Sequence, residues 1–239
     1  MHLESTTDLS IIYSNLNKLK SNKENIILIS TGEMNPIHRC HISNMIKTKQ
    51  YLENIHDYNV IAGYISPTHD EYVQEKLGNY FIPSHHRINM CQKAIQEENQ
   101  QDWLAVDKVE CMDTFLNNVT YSLQEFINKN FNMEKAIRVI YVAGLDLFNR
   151  CHGMNFLGQS HIGGVVVVYR YGQNTSRIKS FIDKNSLKIS FILLDNQDDY
   201  KSYDISSTLI RQKLKLNENC SRLTYNSVLE YLQTIPNYY

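Results

Sequence analysis

Residues 25–47 read NIILISTGEMNPIHRCHISNMIK, and a change of period inside that stretch decides the fold. NIILIS at 25–30 is a short unbroken apolar run, the pattern of a strand buried on both faces, and Thr31-Gly32 stops it in a glycine turn. From about 39 to 55 the apolar positions Ile42, Met45, Ile46 and Tyr51 recur at three-to-four spacing, which predicts a helix. YNVIAGYIS at 58–66 then returns to strand character. Strand, helix and strand form a βαβ unit, whose two strands must run parallel because a helix crosses between them.

The alternation continues toward the C-terminus. Helices are predicted from Ser84 to 98 and near 114–129, with strands around Trp103 to Val106 and at 137–144 (IRVIYVAG). A strand at 164–170 (GVVVVYR), a helix near 175–184 and a strand at 187–194 (LKISFILL) follow. Buried strands alternating with amphipathic helices give an α/β fold, a mainly parallel sheet covered on both sides. Two last helices, near 207–215 and 224–234, have no strand between them and are expected to form a small C-terminal helical cap. No repeat, low-complexity tract or linker divides the chain, so one domain over 1–239 is expected, its core at about 25–200 and its helical part at about 205–236.

Composition excludes several classes of function. With 24 basic and 25 acidic side chains the formal net charge is −1, so neither a nucleic acid nor an anionic membrane is the indicated partner. Five cysteines at 40, 91, 111, 151 and 220 are odd in number and never form CxxC, against both a disulfide framework and a structural zinc site. The opening MHLESTTDLS lacks a basic stretch followed by an apolar one, and no run of about eighteen apolar residues exists, so a cytoplasmic protein is expected, with the nucleus left open. The sequence is compatible with a homo-oligomer.

In open parallel sheets ligands bind beyond the carboxyl ends of the strands, where strand order reverses, so those ends are where chemistry is sought. After the first strand, Gly32 lets backbone approach a ligand, Pro36 stiffens the loop, and the amides of the helix start favour an anion such as phosphate. His38 and His41, three apart, share a face in the first turn, where two imidazoles can donate to charge building up on a phosphate. The alternative is a pair of histidines that hydrogen-bond nearby backbone. Zinc is disfavoured, since HExxH spacing is absent. Near the other end, DISSTLIR at 204–211 offers Ser206 or Ser207 as a helix N-cap and brings Thr208 and Arg211 to one face, a hydroxyl and a forked cation for a polyphosphate. Read alone, that segment is also an ordinary capped helix with a surface arginine.

Together the two segments resemble the paired signatures of the nucleotidylyltransferase superfamily, GxFxPxHxxH and ISSTxxR. Between them Ile65-Ser66-Pro67, Asp70, Tyr72, Ile82-Pro83, His86-Arg87, Trp103, Val106-Asp107 and Gly144-Leu145-Asp146 resemble, in order, the eukaryotic nicotinamide/nicotinic acid mononucleotide adenylyltransferases. The resemblance implies a Rossmann-like, doubly wound domain that joins ATP to nicotinamide or nicotinic acid mononucleotide in the NAD biosynthesis reaction, with Mg²⁺ carried on the triphosphate and no metal site of the protein's own. It also implies site residues. Gly32, Met34, His38, His41, Gly144, Asp146, Ser206, Ser207 and Arg211 would bind ATP, His38, His41 and Arg211 acting in catalysis and Asp146 accepting from a ribose. Glu33, Lys76, Trp103, Phe156 and Leu157 would bind the mononucleotide, Trp103 stacking on the pyridine and Phe156 or Leu157 standing at the second stacking position; read alone, Trp103 is equally a core residue and Lys76 a solvated loop lysine. The chain departs from the pattern at Glu33 and Met34, where relatives usually carry a small residue and a phenylalanine, and an acid in a phosphate loop repels its ligand unless it points away. Other readings remain: a different phosphorylated acceptor, or a nucleotide-binding module without turnover.

Overall fold

The computed structural model describes residues 5–20, 22–112, 119–131, 137–150, 163–170, 173–176, 178, 189–194 and 205–235. Among them six strands form one sheet: β1 (Asn25–Gly32), β2 (Asn59–Pro67), β3 (Leu104–Val106), β4 (Arg138–Gly144), β5 (Gly163–Arg170) and β6 (Ile189–Leu194). Their spatial order is β3-β2-β1-β4-β5-β6 and every pairing is parallel, as the alternation of strands and helices requires. The α-helices among the described residues are α1 (Ser10–Asn15), α2 (Arg39–Ile55), α3 (Asp70–Leu77), α4 (Ser84–Glu97), α5 (Val109–Met112), α6 (Val119–Asn130), α7 (Leu145–Arg150), α8 (Ser207–Lys215) and α9 (Asn226–Gln233).

Strand parity explains the two-sided core. In β1, Ile26 and Leu28 point into a cluster with Met45 of α2, Met90 of α4 and Val228 of α9, while Ile27 and Ile29 point to the opposite face with Ile12 of α1, Leu123 of α6 and Phe148 of α7. β4 divides in the same way, Ile140 and Val142 against Val139, Tyr141 and Ala143. A register shift between Ile26 and Ile27 gives β2 one extra residue, so Ile61 and Ala62 both join the second cluster. The N-terminal segment is bound to this second face: Asn15 donates to the carbonyls of Ile61 and Asp102, and Tyr64 donates to the carbonyl of Asp8.

The switch in strand order falls between β1 and β4, and the pairing there opens a crevice. The β1–β4 ladder runs only to Ile29 opposite Tyr141, whereas β1 stays paired with β2 as far as Gly32 opposite Pro67, and β4 with β5 as far as Gly144 opposite Val168. Beyond Ile29 the two central strands therefore part, with a 2.6 Å hydrogen bond between Thr31 and Tyr141 spanning the gap. Two glycines, Gly32 and Gly144, stand on either lip.

Predicted and observed elements agree over the sheet and over α2, α4 and α8, while α1, α3, α5 and α7 lie in segments where no helix is predicted. The strand predicted at 187–194 starts at Ile189, and of the helix expected near 175–184 only 175, 176 and 178 are described.

Candidate active site

The loop after β1 is held from outside by its carbonyls. That of Gly32 accepts from the Thr68 backbone (2.9 Å), of Glu33 from Arg87 (2.8 Å), of Asn35 from Arg211 (2.6 Å), of Pro36 from Ser207 (2.8 Å) and of Ile37 from Thr224 (2.7 Å). The Asn35 side chain adds a two-way clamp, donating to the Tyr80 carbonyl and accepting from Ile82 N–H, both at 2.8 Å. With its carbonyls drawn into the protein, a loop can turn its N–H groups toward an anion. The loop and the start of α8 thus meet directly, the spatial relation that a shared polyphosphate demands.

His38 and His41 are brought together as expected. His38 is the N-cap of α2, its backbone N–H donates to His41 Nδ1 (3.1 Å), and the rings stack with centroids 3.7 Å apart. Because Nδ1 accepts, the neutral His41 ring carries its proton on Nε2. That nitrogen lies 4.0 Å from where a Cβ on Gly32 would stand, so the N–H faces the glycine lip of the crevice.

At α8, Ser206 is the N-cap and accepts from Leu209 N–H (3.1 Å). Arg211 is buried; besides Asn35 it reaches Thr208 Oγ1 (3.1 Å), and burial pulls its pKa below the ordinary value, with the Glu33 carboxylate acting against that fall. A guanidinium has five N–H donors, so two bonds leave capacity for a ligand. On the far lip, a Cβ on Gly144 would meet nothing within 4 Å, and Asp146, exposed in the first turn of α7, accepts from Gln173 (3.3 Å).

Met34, expected to touch ATP, has a side chain 1% exposed that packs beside Gly32, so what it offers a nucleotide is backbone, held in a left-handed turn (φ 49°). One expectation is corrected. Trp103 was expected to stack on a pyridine. It precedes β3 at the level of Gly63, four residues or about 13 Å of strand short of the carboxyl end of β2. Its indole is 5% exposed among Met45 and Leu104, packs where a Cβ on Gly63 would collide at 2.8 Å, and donates to Gln100 (2.7 Å). Core packing is its role. Glu33 and Lys76 do stand at the strand ends, paired with each other. Phe156, Leu157 and Asp204 lie outside the described residues.

Sequence reasoning assigned no role to Arg87 or Glu110. Arg87, fully buried, binds the Ile82 and Glu33 carbonyls (both 2.8 Å) and Asp70 (2.5 Å), tying the β1 loop to α3 and α4. The available signal was its place on the buried stripe of α4 with Met90, Cys91 and Ala94. Glu110 follows β3 beside Asp107, which is buried and accepts from Thr7 (2.6 Å) and Ser66 (2.9 Å). Glu110 Oε2 is shielded and has no hydrogen-bond partner among the described residues, and burial pushes this carboxyl up to about 8.

A family model described as cytidylyltransferase-like matches residues 29–213. The nicotinamide/nicotinic acid mononucleotide adenylyltransferase 2 of Danio rerio is 40% identical over 92 residues, 38% of this chain and 28% of that protein. The nicotinamide/nicotinic acid mononucleotide adenylyltransferase 1 of Saccharomyces cerevisiae is 26% identical over 235 residues, 90% of this chain and 56% of that one. The chain thus spans about half or less of the length of these relatives. The structure of Plasmodium falciparum nicotinic acid mononucleotide adenylyltransferase complexed with NaAD superposes with a TM-score of 0.59 at 15% identity, over 90% of this chain and 98% of that one, a likeness of fold.

Proposed function

The chain belongs to the cytidylyltransferase-like family, and from that premise we propose that it transfers the adenylyl group of ATP to nicotinamide mononucleotide or its nicotinic acid counterpart. The reading is carried by one observation, the junction of the β1 loop with the start of α8, where Ser207 and Arg211 bond to the Pro36 and Asn35 carbonyls. A loop shaped for phosphate and a capped helix start carrying a guanidinium then address one triphosphate.

In this reaction a 5′-phosphate oxygen of the mononucleotide forms a bond to the α-phosphorus of ATP, and the bond from that phosphorus to the bridging β-phosphate oxygen breaks, releasing pyrophosphate. The nucleophile is already anionic near neutral pH, so the protein's task is alignment and charge stabilisation. His41 supplies an Nε2–H donor toward the reacting phosphate, Arg211 a fixed cation, and Gly32 and Gly144 the room for close approach. Asp146, exposed in the first turn of α7 just past β4, would accept from a ribose hydroxyl. Imidazoles, hydroxyls and a guanidinium suit an anion better than a cation, so Mg²⁺ would enter with ATP, as part of that substrate.

Incubating the chain with ATP, Mg²⁺ and each mononucleotide should yield dinucleotide and pyrophosphate; no product from either acceptor refutes the proposal. The core position of Trp103 favours one second reading, transfer to a different phosphorylated acceptor, because the expected pyridine stack is missing from that residue. Profiling acceptors under the same conditions separates the two.

A further inference from the structure

Glu33 is an acid set among cations. It follows Gly32 at the mouth of the crevice, its carboxylate is ion-paired with Lys76 of α3, and its backbone carbonyl is held by Arg87. Its charge also acts on the buried Arg211 guanidinium. The side chains of Lys76 and Glu33 are 37% and 23% exposed, and a pair this open to water contributes little stability and exchanges readily. To an ammonium group, a carboxylate and a phosphate monoester offer the same feature, charged oxygens that accept charge-assisted hydrogen bonds.

We propose that Glu33 is an internal stand-in for a substrate phosphate, a displaceable anion that holds Lys76 at the mouth of the crevice and that a phosphate monoester must expel to bind there. Glu33 thereby sets a threshold. A dianion gains more from Lys76 than the carboxylate it replaces, whereas a monoanionic ligand gains nothing. The inference rests on the proposed function only for which monoester arrives, since the competition itself is between two anions for one lysine.

The test uses inorganic phosphate as the probe, titrated calorimetrically into the full chain at low ionic strength. Glu33→Gln keeps the shape of the side chain and removes the competitor, and should tighten phosphate binding about two- to fivefold, the equivalent of one exposed ion pair. Glu33→Ser should do the same. In the double variant Glu33→Gln/Lys76→Met the gain should vanish, leaving affinity at or below that of the unmodified chain. Unchanged or weaker binding by the Glu33 variants overturns the proposal, and so does a double variant that keeps the gain, because phosphate would then be bound away from Lys76. No acceptor is turned over, so a chain that makes no dinucleotide leaves this test intact.

Discussion

The two nitrogens of His41 do different work. Nδ1 is spent on the His38 backbone N–H, which fixes the ring and leaves Nε2–H as the donor facing Gly32. If that donor strengthens its bond as charge grows on the reacting phosphate, His41→Ala lowers the initial rate of dinucleotide formation by roughly a hundredfold or more. Normal turnover in that variant would reduce the residue to a helix cap, whose loss costs only about 1 kcal/mol of stability. Glu110 makes a prediction about pH. Burial pushes its carboxyl from an ordinary 4.5 up to about 8, a hydrogen bond from Thr68 pulling the other way and Asp107 adding to the rise. Between those values the folded chain holds a proton that the unfolded chain has released, so the native state binds more protons and stability falls as pH increases through the window. The urea midpoint should decline from about pH 5 to about pH 8 and level off above, and Glu110→Gln, which cannot ionise, should flatten the slope. Parallel curves for the two proteins would mean that Glu110 titrates as an ordinary acid.

Among the elements, α4 carries the joint on which the β1 loop depends. Met90, Cys91 and Ala94 pack its buried face in the usual way, and Arg87 sits on the same stripe with its guanidinium spanning the Ile82 and Glu33 carbonyls and Asp70. Arg87→Met keeps the volume but leaves a carboxylate and two carbonyls without their donor, and should cost about 3–5 kcal/mol, read as a fall in the denaturation midpoint. A loss below about 1 kcal/mol would show that water replaces the arginine at the loop, as at an exposed ion pair. The helix that presents Arg87 is legible in the sequence because its stripe is periodic over fourteen residues. Helix α3, which presents Asp70 and Lys76, is not legible: it has eight residues, of which only Val73 is buried, so no stripe can form. Helix α1 is shorter still, with its buried Ile11 and Ile12 adjacent in sequence, a pattern that fits strand or helix equally. Local period therefore exposes the elements that cover the sheet with a long apolar face and hides those held by capping and tertiary bonds.

Across the whole molecule, a parallel sheet has two unlike ends, and the distinction between them decides what each conspicuous residue can do. The carboxyl end gathers Gly32, His41, Gly144 and, through α8, Arg211 around the gap where β1 and β4 part. The alternation of elements makes this arrangement legible, since it dictates parallel strands and so a single end for ligands. Trp103 shows where such reading stops. A lone tryptophan beside a short strand suits a ligand stack as well as a core, and only the register of β3, with Leu104 opposite Gly63, places it well below the site. Even the absence of a side chain at Gly63 makes sense only afterwards, as the space the indole fills. The position has an optical consequence, because Trp103 is the only tryptophan in the chain. A pyridine ring stacked on an indole, as two aromatic faces in contact, would quench its emission. With the indole enclosed by Met45 and Leu104, saturating nicotinamide mononucleotide should leave tryptophan fluorescence unquenched while ATP-dependent turnover proceeds. Strong quenching by the mononucleotide, and not by ATP alone, would place the acceptor against Trp103, and the crevice between Gly32 and Gly144 could then not be where the two substrates meet.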